Sequence, residues 1–167
     1  MSWDITTKTK QTIKLISISY NRLSRDDIDS IVLIEQQNSH NPWSKNQLIE
    51  STLNPANLCY SISIKNQIIG FLMAMPALDT ADILNISINK ACQGKGYGNK
   101  LLHYLIKELK DRMISQIMLE VRVSNQTAIA FYLKHGFEEI SLRKNYYMNN
   151  SKHPNQKEDG IIMRLKF

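Results

Sequence analysis

Cysteine is nearly missing from this chain. Its two residues, Cys59 and Cys92, lie far apart with no CxxC pairing, so neither a disulfide framework nor a zinc knuckle is indicated, and both read as core thiols. The four histidines, His40, His103, His135 and His153, show no HExxH or other ligand spacing, and no metal site is expected. No apolar run approaches the roughly 20 residues of a membrane span, and the opening MSWDITTKTKQT lacks the apolar core of a secretory signal. A cytoplasmic chain that avoids membranes is therefore expected. Internal repeats and interdomain linkers are missing as well, and 167 residues suit one domain. The boundaries read as a polar leader over 1–12 and a single domain over 13–167.

In bulk the composition is ordinary, with 43% hydrophobic and 22% charged residues and a net charge of +6. That surplus suits an anionic partner, either nucleic acid or a phosphorylated small molecule. The lysines are scattered and aromatics do not alternate with them along a strand, which argues against a dedicated nucleic-acid surface. Contact with nucleic acid is expected to be incidental.

Local patterns set an order of elements. IKLISIS (13–19) reads as a strand. Ser24 with Asp27 three residues later is a capping box opening a helix through Ile28, Ile31, Ile34 and Glu35, and Ser44 with Gln47 opens a second, short helix. LCYSISI and IIGFLMAM are apolar strand runs joined by a Lys65-Asn66-Gln67 hairpin turn. A turn after Pro76 leads to the strand DILNISINK, then to a long helix carrying Leu101, Leu105, Leu109 and Met113 on one face. The strand QIMLEVRV follows, then a helix from Ser124 or Asn125 to His135 stopped by Gly136, and a strand from Phe137 to about Tyr147. MNNSKHPNQKEDG is a loop, and IIMRLKF closes the chain as a strand. This order predicts an α/β fold: a mixed sheet with helices on both faces, and a parallel, right-handed βαβ crossover over 82–123.

The helix that follows DILNISINK has a costly beginning. Gly94, Gly96 and Gly98 stand together in ACQGKGYGNKLL, although each glycine costs a helix about 1 kcal/mol relative to alanine. Bare backbone N–H groups at the positive end of a helix form an anion site, with phosphate as the natural guest. A Walker A loop fails here, because Gly94-Lys95 is followed by Gly96. A dinucleotide fingerprint has its third glycine, Gly98, one residue early and lies mid-chain, although Glu120 stands at a tolerable distance for the ribose acid. A Q-x-x-G-x-G pattern over Gln93, Gly96 and Gly98 fits.

Gln93-Gly94-Lys95-Gly96-Tyr97-Gly98 resembles the pyrophosphate loop of the Gcn5-related N-acetyltransferase (GNAT) family, which uses acetyl-coenzyme A. The resemblance runs from about residue 13 to the end. Within the family, NPWS (41–44), LNISI (84–88), LEVRVSNQTAIAFYLKHGF (119–137), RKNYY (143–147) and EDGIIM (158–163) are similar to the bacterial enzymes that acetylate the N-terminal alanine of a small-subunit ribosomal protein. A monomer is expected. The resemblance implies the family's mostly antiparallel sheet and acetyl-coenzyme A contacts from Gln93 through Asn99, from the backbone of Ile86, Ser87 and Ile88, and from Asn125, which also suits a helix cap. It implies a peptide site near Trp43, Asn85, Tyr146 and Tyr147. Met148 stands where the family often has proline, and the loop to Glu158 is longer than usual.

Two charges inside an apolar strand point to chemistry. Alternation in QIMLEVRV puts Ile117, Leu119, Val121 and Val123 on one face and Glu120 with Arg122 on the other, whereas a covered central strand is apolar throughout. Either these charges pair at a sheet edge, or the face opens on a cleft with Glu120 as general base, directly or through water. An α-amine has a pKa near 8 and lysine near 10.4, so freeing lysine costs roughly 3 kcal/mol more near neutral pH. An N-terminal amine is the easier substrate. The resemblance assigns Tyr132 to the thiolate leaving group; phenol near 10 against thiol near 8.5 makes full proton donation uphill by about 2 kcal/mol, so strong hydrogen-bond donation is expected. DILNISIN by the same alternation sets Leu84, Ile86 and Ile88 against Asn85, Ser87 and Asn89. The alternatives are an acetyltransferase of the same fold acting on a small amine or a protein lysine, a coenzyme A sensor without catalysis, and a basic nucleic-acid module.

Overall fold

The computed structural model describes residues 17–39, 41–148 and 157–167. The leader over 1–12, the start of the strand expected from residue 13, and residues 149–156 of the loop lie outside them. The chain runs through β1 (Ile18–Arg22), a 3₁₀ turn at Arg25–Asp27, α1 (Ile28–Asn38), α2 (Lys45–Leu53), β2 (Leu58–Ile64), β3 (Gln67–Ala77), β4 (Thr80–Ile88), α3 (Tyr97–Lys110), β5 (Gln116–Arg122), α4 (Gln126–Lys134), β6 (Glu138–Met148) and β7 (Lys157–Lys166). The strands form one seven-stranded sheet in the order β1-β2-β3-β4-β5-β7-β6. Every neighbouring pair is antiparallel except β4 and β5, which run parallel across the α3 crossover. Both capping boxes form as the sequence predicts, Ser24 with Asp27 and Ser44 with Gln47.

β3 explains why helices cover both faces. Its run is apolar on both sides, as a strand buried on both faces requires. Phe71 and Met73 pack with Ile28, Ile31 and Ile34 of α1 and Leu48 of α2. Leu72 and Ala74 pack with Leu101, Leu102, Leu105 and Leu109 of α3 and with Ile129 and Tyr132 of α4. None of the described helices is long and apolar enough to cross a membrane.

Several local expectations shift, each for a physical reason. The hairpin loop is only Lys65-Asn66, at φ 49° and 65°, with Gln67 already paired to Ile64; such a two-residue turn matches strand twist. β3 continues through Pro76, because β2 pairs only as far as Leu58–Ala74 and the missing Pro76 N–H removes no bond on that side. Met113 does not complete the leucine face: it is 88% exposed at φ 60°, past the end of α3. The Ile114 N–H donates to the Leu109 carbonyl at 3.0 Å, a Schellman-type stop. Ile114, 5% exposed, enters the core instead.

The alternation expected of DILNISIN also breaks. Asn85 pairs with Met73 but Ile83 pairs with Ala74, which leaves Leu84 as a bulge. An extra residue reverses the facing of what precedes it. Leu84 therefore packs on the α1 side, while Ile83, Ile86 and Ile88 pack on the α3 side.

Gly70, opposite Ile88 beyond the bulge, lets β3 lie close against β4. A Cβ there would meet Ile88 Cδ1 and would lie 2.9 Å from the Ser87 carbonyl oxygen. Gly70→Ala is expected to destabilise the fold by roughly 1–3 kcal/mol. Urea unfolding of the variant against the parent chain measures this.

Candidate active site

Past the bulge, the two parallel strands stop pairing. The β4–β5 register runs from Thr80–Gln116 to Ile83–Leu119 and ends there. Asn85–Ile88 on one strand and Glu120–Arg122 on the other thus flank an opening in the middle of the sheet, with the starts of α3 and α4 behind it.

The glycine turn sits at this opening. Asn38, at the end of α1, donates to the Ile88 carbonyl at 2.9 Å, and Gln93 Nε2 donates to Asn38 Oδ1 at 2.7 Å and to the same carbonyl at 3.0 Å. Gln93 is thus a brace for the turn. Gly94 and Gly96 take φ of 72° and 80° with nothing within 4 Å of a built Cβ, a left-handed backbone that other residues adopt only with strain. Among the described residues, no hydrogen bond is donated by the backbone N–H of Gly94 through Asn99; the first helical donor is Lys100, to the Gly96 carbonyl at 3.1 Å. These unpaired donors at a helix start have the chemistry of an anion cradle. The Lys95 Nζ turns back to the Ala91 carbonyl at 2.8 Å. A Cβ on Gly98 would lie 3.5 Å from the Phe131 ring, and Asn99 Oδ1 meets His135 Nε2 at 2.8 Å, so α3 and α4 are held together beside the turn. Asn125 Oδ1 accepts from Ala128 N at 3.1 Å and caps α4.

On β5, Ile117, Leu119 and Val121 are buried beneath the helices, and Glu120 and Arg122 occupy the other face. They are not partners of each other, and β5 is an interior strand. Glu120 Oε2 receives Arg143 Nη1 at 2.7 Å. Arg122 reaches Glu158 at 3.3 Å and lies over the Tyr147 ring at 4.2 Å. Glu158 also accepts from Ser124 N at 2.7 Å; burial works to raise its carboxyl, but the Ser124 and Arg122 contacts hold it below the usual range. Burial, and then the Glu120 carboxylate it faces, push the Tyr147 hydroxyl well above the ordinary phenol range. Gly160 makes room for this group: a Cβ there would lie 3.0 Å from Tyr147 and 3.4 Å from Glu120.

Tyr132 is a core residue with a free tip. The residue is 6% exposed, and its ring packs edgewise on Phe131 and tilted against Phe137. No hydrogen bond of its hydroxyl forms among the described residues, yet that oxygen is not among the enclosed unpaired polar atoms, which are Thr52 Oγ1 and Asn57 Oδ1. It therefore reaches accessible surface. Burial alone pushes its pKa far above the ordinary phenol value, which keeps the hydroxyl protonated and a donor.

Glu35 is a residue whose role the sequence pattern hid. It lies on the buried face of α1, 3% exposed, and accepts from Trp43 N at 3.1 Å, Asn85 Nδ2 at 3.1 Å and Ser87 Oγ at 3.3 Å. One carboxylate thus ties the segment after α1 to β4 just beyond the bulge. The only signal in the sequence was an acid on a helix face otherwise lined by isoleucines. Trp43 is half-buried against the α1 cluster, and Asn41 Nδ2 approaches the Met148 carbonyl at 3.5 Å, which brings NPWS beside the end of RKNYY. Tyr146 and Tyr147 meet edge to face at 5.0 Å.

The described chain between residues 25 and 137 matches the model of the acetyltransferase (GNAT) family. The chain is 34% identical over 143 residues to the [ribosomal protein bS18]-alanine N-acetyltransferase of Escherichia coli strain K12, covering 86% of this chain and 93% of that protein. It is 39% identical over 141 residues to the same-named protein of Haemophilus influenzae, covering 82% and 90%. The crystal structure of the ribosomal-protein-S18-alanine N-acetyltransferase from E. coli superposes with a TM-score of 0.80 at 33% identity, over 90% of this chain and 94% of that one. The PaiA N-acetyltransferase of Thermoplasma acidophilum, in complex with coenzyme A, shares the fold with a TM-score of 0.72 at 19% identity, over 91% and 100%.

Glu35→Ala strips three donors of their acceptor at once, and unfolding free energy is expected to fall by about 1–3 kcal/mol. Glu35→Gln, which keeps one acceptor oxygen, loses less. Urea titrations of both variants, with tryptophan emission as a second probe, test the ordering.

Proposed function

The chain belongs to the GNAT acetyltransferase family, and from that premise we propose that it moves acetyl from acetyl-coenzyme A to the α-amine of the N-terminal alanine of a small-subunit ribosomal protein. The observation that carries the reading is the run of unpaired amides from Gly94 to Asn99 beside strands that part after Ile83–Leu119. Open space at Gly94 and Gly96 suits a diphosphate, with Lys95 in the turn and Lys100 in the first turn of α3. The substrate is suggested by relatives that carry that name over most of their length.

The bound co-substrate supplies a thioester carbonyl. The β4 backbone over Ile86–Ile88, which β5 no longer pairs, offers donors toward the developing oxyanion, the largest catalytic contribution expected of such a site. Glu120 takes the proton of the incoming amine, directly or through water. Tyr132 donates a hydrogen bond to the sulfur as the carbon–sulfur bond breaks and the carbon–nitrogen bond forms. Burial keeps Tyr132 protonated, so it sets no alkaline limit on the rate in the ordinary pH range. Trp43 and the Tyr146–Tyr147 pair form the walls for an extended peptide end, with Asn85 held in place by Glu35. An α-amine releases its proton roughly 3 kcal/mol more readily than lysine near neutral pH, which favours an N-terminal substrate.

Acetyl transfer to an alanine-starting peptide is compared with transfer to a lysine peptide blocked at its N-terminus. The alanine peptide is expected to be preferred, and preference for the blocked peptide sinks the proposed substrate. Glu120→Gln is expected to lower kcat by about 10²–10⁴-fold, and Tyr132→Phe to slow turnover while acetyl-coenzyme A still binds by calorimetry.

A further inference from the structure

The two arginines beside Glu120 are held in different ways. Arg122, 28% exposed in its side chain, is fixed between Glu158 and the Tyr147 ring. Arg143 makes a single-nitrogen contact with Glu120 at 2.7 Å and is 49% exposed, with Tyr146 under its guanidinium at 4.0 Å. It stands on β6, an edge strand of the sheet, where pairing with β7 becomes irregular between Arg143 and Tyr147 and Asn145 takes φ 53°. A one-point contact lacks the paired hydrogen bonds that make arginine–carboxylate forks strong, and half-exposed pairs are weak. The guanidinium thus holds the carboxylate but is free to leave it.

We infer that Arg143 occupies the place of the substrate's α-ammonium in the resting enzyme and that the incoming amino terminus exchanges with it on Glu120. The inference rests on the role proposed for Glu120 above. An α-amine with pKa near 8 arrives mostly protonated near neutral pH. Replacing one cation by another leaves Glu120 paired throughout, so no bare carboxylate stands in the partly buried site. The displaced guanidinium moves outward over Tyr146, and the ammonium now on Glu120 holds the proton that the carboxylate removes. Arg143 is then a specificity residue: it turns away neutral groups too weak to displace it and admits cations.

The test uses the whole chain labelled with ¹⁵N-arginine, the Arg143 side-chain signal being assigned by its loss in Arg143→Gln. Titration with an alanine-starting peptide, with coenzyme A present, is expected to move that signal to the position it takes in Glu120→Gln. In steady-state assays Arg143→Gln is expected to lower the peptide KM by about two- to fivefold, the factor an exposed pair is worth, with the KM for acetyl-coenzyme A unchanged. Arg143→Lys is expected to restore the parent value. A signal that stays in place at saturating peptide, or a peptide KM in Arg143→Gln that is unchanged or raised, overturns the exchange. Full turnover in Glu120→Gln removes the base and leaves the arginine signal to report on exchange, so the two failures are distinguishable.

Discussion

One interruption in a β-ladder organises this molecule. β4 and β5 pair in parallel for four residues and stop after Ile83–Leu119, because Leu84 is an extra residue in the ladder between β3 and β4. A bulge bends its strand and re-aims the side chains around it. Before the bulge, Ala81 and Ile83 join the core under α3. After it, Asn85 and Ser87 turn toward the α1 face, where Glu35 receives both. The opening in the sheet is therefore anchored on one side by a buried carboxylate and on the other by the β5–β7 ladder, which continues to Arg122–Gly160.

A run of unpaired backbone donors stands beside that opening. Away from it, the helices close on two apolar clusters, one on each face of the sheet. At the glycine turn, donors are left free while the flanking structure is braced by Asn38, Gln93 and the Asn99–His135 contact. A rigid frame around loose donors is what anion recognition needs, since donors that are already oriented lose little freedom on binding. On the facing strand, Glu120 and Arg122 are carried by alternation on the side that α3 and α4 do not cover, and Gly160 leaves the space in which Glu120 and Tyr147 meet.

The family likeness and the geometry bear on different questions. Membership follows from the match over residues 25–137 and from relatives that share most of their length with this chain. What the geometry adds is the arrangement of particular groups, above all that each arginine near Glu120 has its own acid. A Glu120–Arg122 pair at a sheet edge, one of the two readings open from sequence, does not form: Arg143 takes Glu120, Glu158 takes Arg122, and β5 lies inside the sheet.

Local chemistry in the sequence determined the order of the elements, both capping boxes, the buried leucine face of α3, the glycine turn at its start and the sidedness of β5. Each of these depends on residues within a few positions of one another, where helical and strand periodicity and capping act directly. Tertiary structure alone decided the bulge at Leu84, the continuation of β3 through Pro76, the exchange of Met113 for Ile114 in the core, and the partners of Glu35 and Arg143. Those outcomes depend on which strand lies alongside and where its pairing ends. Such contacts span tens of residues, as with Glu35 and Asn85, 50 apart, and no local period encodes them.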